Sequence, residues 1–268
     1  MEIRIPGITM AMMAVAAVLG IIIPAVLYIY LRKEKHAEHL SFWIGGAVFV
    51  VFAMVLERAV LFGVSRLSGW ADIQGNLILY AVIGGLFAGV FEETGRFTAF
   101  ATVLKKKRGR DETALMYGAG HGGTEAVLIL SLTMVNNLVL CLMANSGNTA
   151  SLSAGGADVT LILQQLATIS PWMFLVGAAE RVSAVALHIS LSVLVWFAVK
   201  NKRRRLLYPA AVLIHAGVNA VAVLLAGTGI HVLFVELIVY ALTGLSIWAA
   251  AAVWKKNRGG EASAEQPR

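Results

Sequence analysis

Phe91-Glu92-Glu93-Thr94-Gly95-Arg96 sets two adjacent carboxylates and a guanidinium in a segment that is otherwise apolar from Leu77 to Leu104. A carboxylate beside imidazoles in a dry site is general-base equipment: it takes a proton from water while a neighbour holds the water in place. Three histidines, His121, His188 and His215, also lie inside apolar segments. A neutral imidazole, or an amide such as that of Asn219, stabilises the oxyanion of a tetrahedral intermediate. Together these residue types suit peptide-bond hydrolysis. They also include ordinary zinc ligands, three of which make a catalytic site, with His121, His188 and His215 as the candidate set. The His-Glu-x-x-His helix of many zinc proteases is absent.

The elements that must position these groups are long apolar spans. The chain has 268 residues, 59% hydrophobic and 14% charged, with mean hydropathy +0.78. Such a composition excludes an ordinary soluble domain. A span needs about 20 apolar residues, and seven stretches satisfy that rule: 8–31, 42–64, 77–104, 113–144, 171–199, 206–226 and 231–254. The expected fold is an all-α polytopic membrane protein, with one helical domain over residues 1–256 and a disordered cytoplasmic tail over 257–268. The first run ends in a basic cluster rather than a small-residue cleavage site, so it reads as a retained span.

Basic residues cluster after the first, third, fifth and seventh spans, at Arg32–Lys35, Lys105–Arg110, Lys200–Arg205 and Lys255–Arg258. The alternate connectors are nearly free of them: 65–76 holds only Arg66 and 145–170 holds none. The positive-inside rule then puts the N-terminus outside and the C-terminus in the cytoplasm, in the bacterial plasma membrane. The net charge of +7 is an orientation signal on this reading, not a nucleic-acid footprint. Cys141 is the one cysteine, which excludes an intrachain disulfide and a Cys-based zinc site. The connector 145–170, rich in Gly, Ser and Asn, reads as a plain loop or a lid, with a short helix over 159–169.

The basic clusters also act as depth markers. Glu93 lies 12 residues before Lys105, His121 11 after Arg110, His188 12 before Lys200 and His215 10 after Arg205. At 1.5 Å per residue, all four stand roughly 15–18 Å from their markers, on four different helices. A lone intramembrane histidine is commonly a helix–helix hydrogen-bonder; four Glu or His side chains at one level point to a site. Within helices, Glu92 and Arg96, His121 and Glu125, and His215 and Asn219 are i,i+4 pairs that share a face. Glu180 sits two turns from His188, with Arg181 beside it as a partner. On this reading Arg96 neutralises one of the two glutamates; its shared face with Glu92 would leave Glu93 freer to act as the base, but the pair together is the expected catalytic group, with Arg96, His121, Glu125 and Glu180 in support. Glu57 and Arg58 in the second span read as structural pairing.

Taken in order, Glu92-Glu93-x-x-Arg96, Gly120-His121-Gly122-x-x-Glu125, Glu180-Arg181-x-x-Ala184-x-x-x-His188 and His215-x-x-x-Asn219 resemble the YhfC-type membrane peptidases. These fall within the wider CAAX-protease and bacteriocin-processing (CPBP/Abi) group of intramembrane endopeptidases. The likeness covers about 92–219. Two positions depart from the wider group: Arg96 follows the glutamates one residue sooner, and Ala184 stands where that group carries Phe. The resemblance implies an intramembrane endopeptidase in which Glu92 or Glu93 activates water, His188 and His215 orient it or polarise the carbonyl, and Asn219 helps form the oxyanion hole. The implied substrate is a peptide or membrane protein, lipidated or not, met among membrane lipids and without nucleic acid.

The tandem glutamate favours a glutamic mechanism with no cofactor; the three histidines keep a zinc-dependent one as the alternative. Two other classes stay open. A proton-coupled transporter also uses intramembrane Glu and His, though the polar set thins beyond Glu180. A non-catalytic immunity or scaffold protein would retain the residues without turnover.

Overall fold

The computed structural model describes residues 3–147 and 159–258. They are helical, with no strand among the described residues. An apolar chain in lipid has no water to satisfy its peptide groups, so the helix is the form that pairs each of them internally. Among the described residues, seven helices are long and apolar enough to cross a membrane: α1 (Gly7–Lys33), α2 (His39–Val64), α4 (Leu77–Ala101), α5 (Glu112–Asn145), α7 (Met173–Lys200), α8 (Leu207–Gly227) and α9 (Val232–Asn257). They coincide with the seven expected spans to within a few residues. Two short helices lie between them, α3 (Trp70–Gly75) and α6 (Thr160–Thr168). The expected helix in the 145–170 connector is therefore present as α6. The lid reading, and the tail beyond Arg258, fall on 148–158 and 259–268, outside the described residues.

Two compact units divide the chain: 1–25 with 125–182, and 26–124 with 183–268. In the first, Ile5, Met13, Leu130, Leu163, Leu166 and Phe174 form a common core. The backbone at Ile5 is tied to α5: its N–H donates to Asn145 Oδ1 at 2.8 Å, and Asn145 Nδ2 donates back to its carbonyl at 2.9 Å.

In the second unit, Phe100 sits edge-on to Tyr117 at 4.6 Å and to Trp196 at 5.1 Å, joining α4, α5 and α7. There α4 packs along α8 with almost no side chain between them. A Cβ at Gly89 would stand 2.6 Å from the Val212 carbonyl oxygen and 3.1 Å from Ala216 Cβ. Small residues permit that approach in lipid, where close packing drives helix association.

The second span is not uniformly α-helical. Val50–Glu57 forms a π-helical segment within α2. Its enclosed residues, Ser41, Gly45, Phe49, Ala53 and Glu57, recur every four positions. At 3.6 residues per turn such a stripe drifts about 40° at each step. The wider π turn lags instead of leading, so the stripe stays on one side as far as Glu57.

Candidate active site

The four residues that the depth count brings together, Glu93, His121, His188 and His215, belong with Glu92 and Arg96 to the second unit, and all six are buried. Adjacent positions on α4 are separated by about 100° around the helix, so Glu92 and Glu93 meet different partners. Arg96 binds both carboxylate oxygens of Glu93 through Nη1. This overturns the i,i+4 pairing of Arg96 with Glu92. The physical reason is enclosure: Glu93 is fully buried, whereas Glu92 keeps 7% exposure, and a helical side chain leans back over the turn before it, onto position i−3. The guanidinium thus holds Glu93, where the shared helical face had pointed to Glu92.

Each histidine reads one of these groups. His215 Nδ1 donates to Glu93 Oε1 at 2.8 Å, and its Nε2 lies 4.0 Å from Glu92 Oε1. His121 Nε2 donates to Glu92 Oε2 at 2.9 Å. His188 Nδ1 accepts from Arg96 Nη2 at 3.0 Å and stands 4.0 Å from Glu92 Oε2. A guanidinium can only donate, so in the neutral ring His188 carries its proton on Nε2. The rings are neighbours, with centroids 4.8 Å apart for His121 and His188 and 5.2 Å for His188 and His215. The single level inferred from residue counting is a single site.

Two features fix the heights of α5 and α7. At the start of α5, Asp111 accepts from Lys200 Nζ and from Trp196 Nε1, both at 2.8 Å. This buried clamp joins the end of α7 to the start of α5, ten residues from His121 and twelve from His188. Asp111 is not among the expected site residues; its signal is the acidic pair Asp111-Glu112 directly after the basic run 105–110. Higher up, a Cβ at Gly122 would stand 3.1 Å from His188 Cβ and 3.2 Å from its Cδ2. Glycine there lets α5 approach close enough for His121 and His188 to share Glu92.

Three other residues fall elsewhere. Glu125 and Glu180 were grouped with the site, but both belong to the first unit, where Arg181 holds them. Arg181 Nη1 donates to Glu125 Oε1 at 2.8 Å and its Nε donates to Glu180 Oε2 at 2.9 Å. Asn219, one turn beyond His215 on α8, lines a cavity rather than the network itself. Glu57 lines that cavity too and forms no ion pair among the described residues, against the expectation of structural pairing.

The ligand set also differs from the three-histidine expectation. One donor atom each from Glu92, His121 and His188 lies within 4.8 Å of the others, whereas His215 is turned onto Glu93. Ligands at 2.0–2.2 Å from one zinc stand about 3.3–3.6 Å apart in a tetrahedron, so an adjustment on the order of an ångström closes the set. Two imidazoles and a carboxylate form an accepted catalytic zinc donor set. Binding there requires His121 to give up its Nε2 proton, as zinc ligands must, and His188 to release either Arg96 from Nδ1 or the proton from Nε2. The residues present fit the ion.

Residues 19–239 match the family model described as YhfC intramembrane metalloprotease. The uncharacterized membrane protein YhfC of Bacillus subtilis (strain 168) is 33% identical over 241 residues, covering 88% of this chain and 93% of that relative. No solved structure matches the chain.

Proposed function

This chain belongs to the YhfC intramembrane metalloprotease family, and from that premise we propose that it is a metal-dependent endopeptidase that cleaves peptides within the membrane. The observation that carries the reading is the convergence of Glu92, His121 and His188 within 4.8 Å. The family description favours zinc over the cofactor-free expectation. On this reading Glu92, His121 and His188 hold the ion. The chemistry that zinc supplies when bound is Lewis acidity, which polarises a peptide carbonyl and makes water nucleophilic near neutral pH.

The chain's own groups do the rest. Arg96 cancels the charge of Glu93, so Glu93 serves as an orienting carboxylate. Its hydrogen bond fixes the proton of His215 on Nδ1 and leaves Nε2 as a lone pair facing Glu92. That is the arrangement of a general base aligned by a third group. His215 Nε2 takes a proton from the attacking water and returns it to the departing amine. Asn219, on the same face of α8, offers an amide N–H to the oxyanion. The substrate is a peptide or membrane-protein segment, lipidated or not. The positive-inside pattern and the bacterial relative support a plasma-membrane location with the N-terminus outside.

The test is cleavage of single-span and lipidated peptides by purified protein in liposomes. Cleavage that stops on chelation, returns with zinc and is lost in Glu92→Gln supports the reading. One observation favours a second reading, the glutamic mechanism of the wider CPBP group: Arg96 already occupies His188 Nδ1 at 3.0 Å. A metal at that nitrogen must displace the guanidinium, whereas a water held by Glu92 need not. Cleavage that persists through exhaustive chelation would decide for this second reading.

A further inference from the structure

One cavity of the second unit, about 540 Å³ in volume, has no occupant in the scheme above. It follows α4 and α8 away from the network toward the 65–76 connector. Asn219 on its wall is one turn from His215, and Gly85 is seven residues before Glu92. Trp70 of α3 and Ser65 at the end of α2 also line it.

Glu57 is the anomaly of this cavity. It is 8% exposed, lines the space, and makes no hydrogen bond or ion pair with a described residue. It lies within electrostatic reach of Glu92, Arg58 and His215. A carboxylate at membrane depth is costly unless paired. The fold nonetheless turns Glu57 inward, through the π segment that ends at this residue. Such segments recur at functional sites. An ionised carboxylate only accepts, so the partner it lacks within the chain is a donor carried in by whatever enters the cavity.

The rest of the wall fits a cation on a long apolar stem. Trp70 and Tyr80 line it, and aromatic rings attract ammonium and guanidinium groups. A Cβ at Gly84 would meet nothing within 4 Å, so the wall there is open. Arg58 also lines the cavity and is exposed; its charge disfavours a second cation. We propose that this cavity is a subsite for one basic side chain, Lys or Arg, of a membrane-embedded peptide, with Glu57 as its counter-charge. The proposal rests on the peptidase reading for its substrate, and it makes the enzyme selective for a basic residue near the scissile bond.

The experiment uses the full chain in lipid nanodiscs. The probes are apolar 20-residue peptides with a single Lys scanned along their length, and matched peptides with norleucine or Glu at the same position. Binding is read by fluorescence on the cleavage-deficient Glu92→Gln background, and cleavage by mass spectrometry on the wild type. The expected result is a position at which Lys binds at least about tenfold tighter than norleucine, as for a desolvated charge pair. Glu57→Gln should bring that ratio to about one, and Glu57→Lys should shift the preference to the Glu peptide. Thermal unfolding of each variant checks folding, and a misfolded Glu57→Lys leaves the Glu57→Gln ratio as the deciding readout. A wild type without Lys preference at any position overturns the proposal, as does a preference that survives Glu57→Gln. A Glu57-dependent preference without cleavage of any peptide supports the subsite and sinks the peptidase reading instead.

Discussion

Two charge clusters lie in the spans of this protein, and they carry the same formal charge. In the first unit, Arg181 serves Glu125 and Glu180. In the second, Arg96 serves Glu93, and His121 meets Glu92 at 2.9 Å. Each cluster has two carboxylates and one guanidinium, a net charge of −1 with neutral histidines. They differ in what meets the surplus carboxylate. In the first unit it meets the same guanidinium, which can only donate and cannot ligate a metal. In the second it meets imidazoles, which exchange protons and coordinate ions. Charge at membrane depth therefore does not by itself mark a reactive site; the chemistry of the partners does.

The largest effect that sharpens this contrast is on turnover. Glu92→Gln should lower peptide cleavage by about a thousandfold or more, some 4 kcal/mol of barrier, while the protein stays inserted. Glu125→Gln should leave cleavage within a few-fold of wild type. Equal losses in both would erase the distinction. In stability the two clusters should look alike. Arg96→Leu and Arg181→Leu each strand buried carboxylates and should cost about 3–5 kcal/mol, seen as lower thermal midpoints in detergent. Arg181→Leu should leave the metal content per folded chain unchanged.

Packing gives a smaller effect confined to one side of the comparison. Gly122→Val pushes into His188 and should cost about 1–3 kcal/mol of stability from overpacking, with a disproportionate fall in kcat from the displaced imidazole. A stability loss without that fall would show that Gly122 serves packing alone.

The smallest effect lies outside the spans. Lys107 bonds to Glu38 at 2.8 Å, and Arg110 lies 3.7 Å away. The Lys107 hydrogen bond holds the Glu38 carboxyl below its ordinary value, outweighing the opposing effect of burial. A depressed carboxyl contributes stability above its unfolded pKa and loses it as pH falls through the folded one. Glu38→Gln should therefore lower stability by less than about 1 kcal/mol at neutral pH, and the difference from wild type should vanish on acidification. Activity should not follow it.

Much of this was legible in the sequence because the membrane restricts the answers. Hydropathy located all seven spans, and counting from basic clusters located one level for Glu93, His121, His188 and His215. Residue counting fixes height along a helix. It does not fix what a side chain meets across the bundle, and there the reading failed. Arg96 is compatible with Glu92 at i,i+4 and with Glu93 at i,i+3, and only the neighbours decide between them. Shared helical faces likewise drew Glu125 into the site, although its guanidinium partner comes from α7. The inward turn of Glu57 is not legible because an α-helical period does not anticipate a π segment, and the Asp111 clamp is not because its partners lie 85 and 89 residues away.

The central claim is that Glu92, His121 and His188 hold a metal ion. Its most direct test is the zinc content of purified protein beside that of Glu92→Gln, with Glu125→Gln as the comparison from the other cluster. The account predicts about one zinc per chain in wild type and Glu125→Gln, and a marked loss in Glu92→Gln. Metal-free wild-type protein that still cleaves peptides, or zinc that is unchanged in Glu92→Gln, would contradict it.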